Sequence, residues 1–349
     1  MHFNRPIFLL PLLVLAVACS KTETASTTTV KGAIDTTQKA EPVAITDTNH
    51  HLYFHPKAGS VQHYHIVDKM AMNSNDVQGN SPAQKHSASS TTEFFIQQTV
   101  KAVNRDSSVI LSFRVDSLRM DSQRDTSKVH YASSNMKDRM NEQYREFNML
   151  LGKDFSVRAN KWGDLDSMVD VSAISNDLLS SVPDSLRKNP RVMMMARQQA
   201  EQVANAYVMR VLVHSPTRAL VKDTTWRNET DVNLDIAPGL AFPVHVTATE
   251  TVRGLEKRDD HVLAVLEDNT NTSPKKKVFE EGPTKASIGN FVATSHSVVR
   301  IEDATGLLAH RAMQEKRNVT LIVESKEHPE AKRTVEQNGS EELVTEMIE

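Results

Sequence analysis

The residues able to do chemistry at neutral pH are few. His50, His51, His55, His63 and His65 crowd one stretch, and on an extended strand both rings of His63-x-His65 point to the same side. Such an imidazole pair can hold zinc, but a site needs a third or fourth ligand, and no carboxylate or thiol follows at a recognisable spacing. His63 and His65 are therefore weak metal candidates, with polar strand-edge histidines as the expected reading. No serine sits in a Gly-x-Ser-x-Gly turn, and the lone Cys19 leaves no Cys/His pair for the folded body. Neither a glycine-rich phosphate loop nor a His-Glu-x-x-His helix occurs. Glu280-Glu281 and Glu341-Glu342 adjoin polar turns or the tail, where solvated charges belong. No catalytic residue and no cofactor is expected.

The run Met193-Met194-Met195 offers a different chemistry. Flexible thioethers line surfaces that accept varied apolar partners, although they more often fill irregular gaps in a core. Met193, Met195 and Tyr207 are the candidate lining of an apolar pocket.

The elements that must position these residues are mostly strands. In Val109 to Asp116 the odd positions are apolar and the even ones mostly polar, the period-two pattern of a half-buried strand. With Phe94 to Val103 and the turn 104–108 it makes a hairpin. Phe155 to Ala159 and Leu165 to Val171, around Asn160 to Asp164, make a second. Val298 to Glu302, the turn Asp303 to Gly306, Leu307 to Ala312 and Val319 to Glu324 make a third set. Helical spacing appears at Met140, Tyr144 and Phe147, at Ser175 to Ser181, and over Arg191 to His214, where Met193, Ala196, Ala200, Val203, Tyr207 and Val211 share one stripe. Asn73 to Ser90 and Asn269 to Lys277 are rich in turn residues and are expected as loops.

Thr99-Val100-Lys101-Ala102-Val103 recurs as Thr251-Val252-Arg253-Gly254-Leu255, a shift of 152 (251 minus 99). A charged turn follows each copy, then Val109-Ile110-Leu111 matches Val262-Leu263-Ala264 at a shift of 153 (262 minus 109). Either two amphipathic hairpins look alike by chance or the body is built twice over. The expected fold class is α+β: an antiparallel β-rich body, as two similar sheet lobes or one curved sheet, packed on a central long helix.

At the N-terminus, Arg5 precedes the apolar run Ile7 to Leu15, which closes on Ala16-Val17-Ala18 before Cys19. That order is a secretory signal, and the run is shorter than the about 20 apolar residues of a spanning helix. Leu15-Ala16-Val17-Ala18-Cys19 resembles the bacterial lipobox, which implies cleavage before Cys19 and acylation of its thiol. Cys19 is the only cysteine, so this lipidation site also accounts for an otherwise unpaired thiol. Ser20, rather than an aspartate, follows it, which points to outer-membrane sorting.

The expected organisation is then a signal peptide at 1–18, a Thr/Ser-rich tether at 19–49, an N-terminal β lobe at 50–172, a helical segment at 173–214 and a C-terminal β lobe at 215–349. A formal net charge of -3 becomes -4 when Arg5 leaves (-3 minus 1), which argues against nucleic acid as a partner. Asp116-Ser117-Leu118, Asp166-Ser167-Met168 and Asp184-Ser185-Leu186 resemble O-glycosylation sites of some periplasmic proteins; turn and cap chemistry is the simpler reading. Taken whole, the chain resembles uncharacterised lipoproteins of Gram-negative envelopes. It is expected to be a non-catalytic protein held in the envelope by its N-terminal lipid, binding an apolar ligand or an envelope protein. The alternatives are a structural or complex-forming lipoprotein with a filled core, and a hydrolase with scattered site residues.

Overall fold

The computed structural model describes residues 40–45, 49–79, 81–237, 240–281, 284–325 and 332–348. The expected export signal, Cys19 and most of the expected tether lie outside the described residues. The N-terminal half supplies strands β1 (Glu41–Val43), β2 (Val61–Gln78), β3 (Gln84–Val103), β4 (Val109–Arg124), β5 (Ser127–Ala132), β6 (Asp154–Ala159) and β7 (Leu165–Asp170). The C-terminal half supplies β8 (Thr225–Ala237), β9 (Leu240–Arg258), β10 (His261–Pro274), β11 (Val278–Glu281), β12 (Thr284–Glu302), β13 (Leu308–Ser325) and β14 (Arg333–Ile348). Helices α1 (Met136–Arg139) and α2 (Arg145–Asn148) precede β6; α3 (Ser172–Ser180), α4 (Asp184–Arg187) and α5 (Pro190–Val211) separate the halves.

The strands form one 14-stranded antiparallel sheet in the order β1-β9-β10-β12-β13-β14-β2-β3-β4-β6-β7, with β8 beside β9, β11 beside β12 and β5 beside β4. Of the two expected arrangements the fold is therefore the continuous sheet, its halves joined where β14 pairs with β2. Apart from β1, which pairs with β9, the order within each half follows the chain, which makes β9 and β3 equivalent, six places apart (second and eighth). Their registers slip at matched points. Lys101 is the extra residue between Val100 and Ala102 of β3, and Arg253 the extra residue between Val252 and Gly254 of β9. A bulge at the same place before the same turn ties the sequence repeat to the structure.

The turns at 104–108, 160–164, 259–260 and 303–307 lie at one end of the sheet, the base. Around it the inward positions of the strands are apolar: Tyr64 and Ile66, Phe94 and Ile96, Leu111 and Phe113, Val252, Leu266 and Val299 are buried in one cluster. Helix α5 covers this end. It begins as the sequence requires, with Asn189 Oδ1 accepting from the Arg191 amide at 2.9 Å and Pro190 in the first turn. Its buried residues are Ala196, Ala200, Ala204, Val208 and Val211. The stripe is thus rotated from the expected one: Ala204 and Val208 go deepest, while Val203 and Tyr207 stay half-buried. Residues at i+3 and i+4 compete for one helix face, and the smaller side chain permits the closer approach. At the far end its orphan carbonyls are taken by the sheet: Arg311 donates to Met209 O at 3.0 Å and Leu212 O at 2.9 Å, and Thr345 Oγ1 donates to Arg210 O at 3.1 Å.

Four expectations are corrected. Asn73 to Ser90 is no long loop: β2 runs to Gln78 and β3 starts at Gln84, with Asn73 opposite both Asn338 and Ser87. Asn269 to Pro274 likewise belongs to β10, between β9 and β12. Ladder pairing on both sides satisfies the backbone of these polar stretches, and that outweighs the turn preference of their side chains. The helix expected around Met140 to Phe147 is broken into α1, a 3-10 turn at Glu142–Tyr144 and α2, because Asn135 and Asn141 each cap a new start. Glu41–Val43, within the span expected as tether, pairs with β9 as β1.

Candidate functional site

His63 and His65 do point to one side, the face away from α5. His65 stacks on Phe95 with ring centroids 4.6 Å apart, and its Nε2 lies 3.0 Å from Glu93 Oε1. Among the described residues no group of three or more His, Cys, Asp or Glu is placed to hold a metal ion. The remaining pocket candidates are not brought together. Met193, Met194 and Met195 are 49%, 55% and 58% exposed in the first turns of α5, where successive residues point about 100° apart around the axis. Tyr207 lies about 21 Å further along the helix. There its ring meets Phe94 edge-on at 5.2 Å, and burial pushes its hydroxyl up to about 12. Helix α5 packs most closely on α3. A shallow depression of about 470 Å³ lies instead on the opposite face, lined by polar residues such as Thr249, Asn269, Thr294 and His296.

The strongest electrostatic feature lies on the helix side of the sheet, just beyond the apolar base. Asp68 on β2 accepts from Arg210 of α5 at 2.6 Å, with side chains only 10% and 12% exposed. Among the described residues Asp68 Oδ1 and Arg210 Nε find no partner. Across β14 and β13, Glu341 stands directly opposite Glu315, whose Oε1 accepts from Arg317 at 3.1 Å. Glu341 also lies opposite Met70, two residues from Asp68 on the same face. Burial first, then the neighbouring Asp68 and Glu315 charges, push the Glu341 carboxyl up to about 7, against the opposing pull of Arg210 and Arg317. Near neutral pH this group both gives and takes a proton.

Its effect on stability has a definite sign. A carboxyl that titrates at about 7 when folded and near its ordinary 4.5 when unfolded keeps its proton longer in the native state. The native state is therefore favoured at low pH and loses up to about 3 kcal/mol as pH rises from 4.5 to 7. Glu341→Gln should remove that loss. Its melting temperature should exceed the wild-type value at pH 8 and match it near pH 4.5; an unchanged difference between those two pH values would refute the assignment.

A second ionic cluster lies on the outer face near the base. Glu256 Oε1 accepts from Arg258 at 2.6 Å and from Arg300 at 2.7 Å. Burial acts to raise its carboxyl, but these two guanidinium groups outweigh it and hold the group below the usual range. Beside them burial, with the Arg300 and Arg258 charges, lowers His310 to about 4, so this imidazole is neutral at physiological pH.

Sequence reasoning missed the helix-side cluster and misplaced Glu341, which is half-buried rather than solvated; its neighbour Glu342 is exposed. One signal was available. In Tyr64-x-Ile66-x-Asp68 an acid occupies an inward strand position, where an apolar residue is the rule unless a partner waits.

No curated protein matches this chain. Among solved structures it is similar to lipovitellin, in a study of its lipid–protein interactions, at 8% identity and a TM-score of 0.42, over 83% of this chain and 25% of that one. The chain thus spans a quarter of the lipovitellin chain. It also matches Pseudomonas aeruginosa OpdQ at 7% identity and a TM-score of 0.18, over 83% of this chain and 99% of that one. Neither likeness extends to function. The sequence profile of DUF6263, a family of unknown function, matches residues 106–308, more than half of the chain, and the protein belongs to that family.

Proposed function

We propose that this protein is a non-catalytic envelope lipoprotein, anchored by an acylated Cys19, that docks an apolar surface of a protein partner at the N-terminal end of α5. The observation that carries this reading is the exposure of Met193, Met194 and Met195, each by about half, on a helix whose core contact is an alanine stripe. A methionine run used for core filling would be covered; three adjacent exposed thioethers form an adaptable contact surface. Their separation from Tyr207 along the helix favours a protein partner over a small apolar ligand enclosed by all the candidates.

Replacing all three with lysine should change the melting temperature little, since the lysine stems cover similar apolar area, and should abolish partner capture by a photo-crosslinker at position 197. Equal capture by the triple variant would refute this docking surface. Absence of any crosslinked protein in native envelopes would favour the purely structural lipoprotein. For the anchor, a Cys19→Ala chain should take up no labelled fatty acid.

A further inference from the structure

We propose that the base of the sheet faces the membrane and seats the rings of Trp162 and Tyr53 in the phospholipid headgroup layer. This rests on the anchored reading above. It adds an orientation and a contact surface which the anchor alone does not supply.

The direction follows from where the described chain begins. Glu41 lies opposite Lys257, beside the base turn that joins β9 to β10. Residues 49–56 then form a strap tied across the base. Leu220 donates to His50 O at 2.7 Å, Phe54 to Lys161 O at 2.8 Å and His55 to Thr305 O at 2.9 Å, while Leu52 and Phe54 are buried beneath it. Cys19 is therefore connected to the body at this end. The stretch between Cys19 and Ala40 spans at most about 75 Å, and a strand the length of β3 rises about 65 Å. Seating the opposite end on the bilayer would need that stretch drawn out to nearly its limit; seating the base needs no such extension.

The chemistry of the base fits a headgroup layer. Tyr53 is 39% exposed, and among the described residues no other exposed large apolar side chain is aromatic. Its ring lies 5.1 Å from that of half-buried Trp162, over which Lys161 Nζ sits at 5.0 Å. Aromatic rings with one polar tip prefer the membrane–water boundary, and a lysine beside them meets lipid phosphate. The turn that carries Lys161 and Trp162 is rigidly held. Asn160 Oδ1 accepts from the Trp162 amide at 2.8 Å, Trp162 O accepts from the Ser215 amide at 2.7 Å, and Gly163 adopts a φ of +80° against Val213 O. Val103 and Val221, 45% and 48% exposed, add apolar area at the same end.

The chain has two tryptophans, so each can be read alone. Trp226 lies opposite Glu250, eight residues and about 27 Å up β9 from Arg258. The lipidated full-length protein is reconstituted into vesicles of phosphatidylcholine and phosphatidylglycerol, with and without brominated phospholipid. In Trp226→Phe the emission of Trp162 should fall at least about twofold with brominated lipid, and in Trp162→Phe that of Trp226 should not change. Should either variant fail to fold, the wild-type loss less that of the other variant gives the same reading. Unquenched Trp162 on vesicles that float with bound protein overturns the proposal and leaves the anchor intact. A Cys19→Ala chain that still floats with quenched Trp162 overturns the anchor and leaves the proposal standing.

Discussion

Gly306→Ala is expected to destabilise the protein by roughly 4–5 kcal/mol, in the range reserved for mutations that force backbone apart. Gly306 has a φ of +72°, where an alanine already costs about 1–2 kcal/mol. Its Cβ would also fall 2.3 Å from Tyr53 O and 2.7 Å from Phe54 Cα, against backbone that cannot rotate away. The turn and the strap would have to separate, loosening the His55–Thr305 backbone bond and the 2.6 Å contact between His50 Nε2 and Asp303 Oδ1. Gly59 is the control. Its φ of +85° carries the same conformational cost, but nothing lies within 4 Å of an added Cβ, so Gly59→Ala should cost only about 1 kcal/mol. Urea unfolding of both variants checks the difference; equal losses would show that the strap is not fixed by this approach. Because the strap joins the N-terminal stretch to the body, Gly306→Ala should also speed proteolysis within residues 49–56 more than elsewhere.

Arg210→Ala should cost about 3–5 kcal/mol, the usual penalty for removing one partner of a buried ion pair. The loss is not confined to the 2.6 Å contact with Asp68. Without the guanidinium, Asp68 is left in the interior near Glu341, and the contacts of Arg210 over the rings of Phe94 at 5.6 Å and Tyr207 at 5.9 Å disappear. Two further measurements separate these effects. Asp68→Asn combined with Arg210→Met, which removes both charges and keeps most of the volume, should recover most of the stability. In Arg210→Ala the Glu341 titration should move above its wild-type position, since Arg210 is one of the charges holding it down. A loss under about 1 kcal/mol would place the pair among weak, solvent-screened contacts instead.

Near the base, much of the fold was legible. Strands there alternate apolar and polar residues, so Val109 to Asp116 and its hairpin partner declare themselves, and Asn189-Pro190 marks the start of α5. Further up, the same strands have polar residues on both faces. No hydrophobic period then exists to read, and Asn73, Asn338 and Asn318, which face one another across β2, β14 and β13, look like turn residues in isolation. The methionine run shows a related ambiguity. Its spacing places it on a helix, but whether a thioether faces core or water depends on how far the sheet extends beneath that turn.

The sequence by itself determined the local units: hairpins, the long capped helix and the doubled Thr-Val-x-x-Val/Leu segment, because period, capping and turn chemistry act over a few residues. Only the tertiary structure decided that β14 closes against β2 to make one sheet, and that Asp68, Arg210 and Glu341 meet on its helix side. Those contacts join positions more than a hundred residues apart in the chain. Their energies come from burial, from like charges forced together and from a partner on another element, and none of these is a property of neighbouring residues.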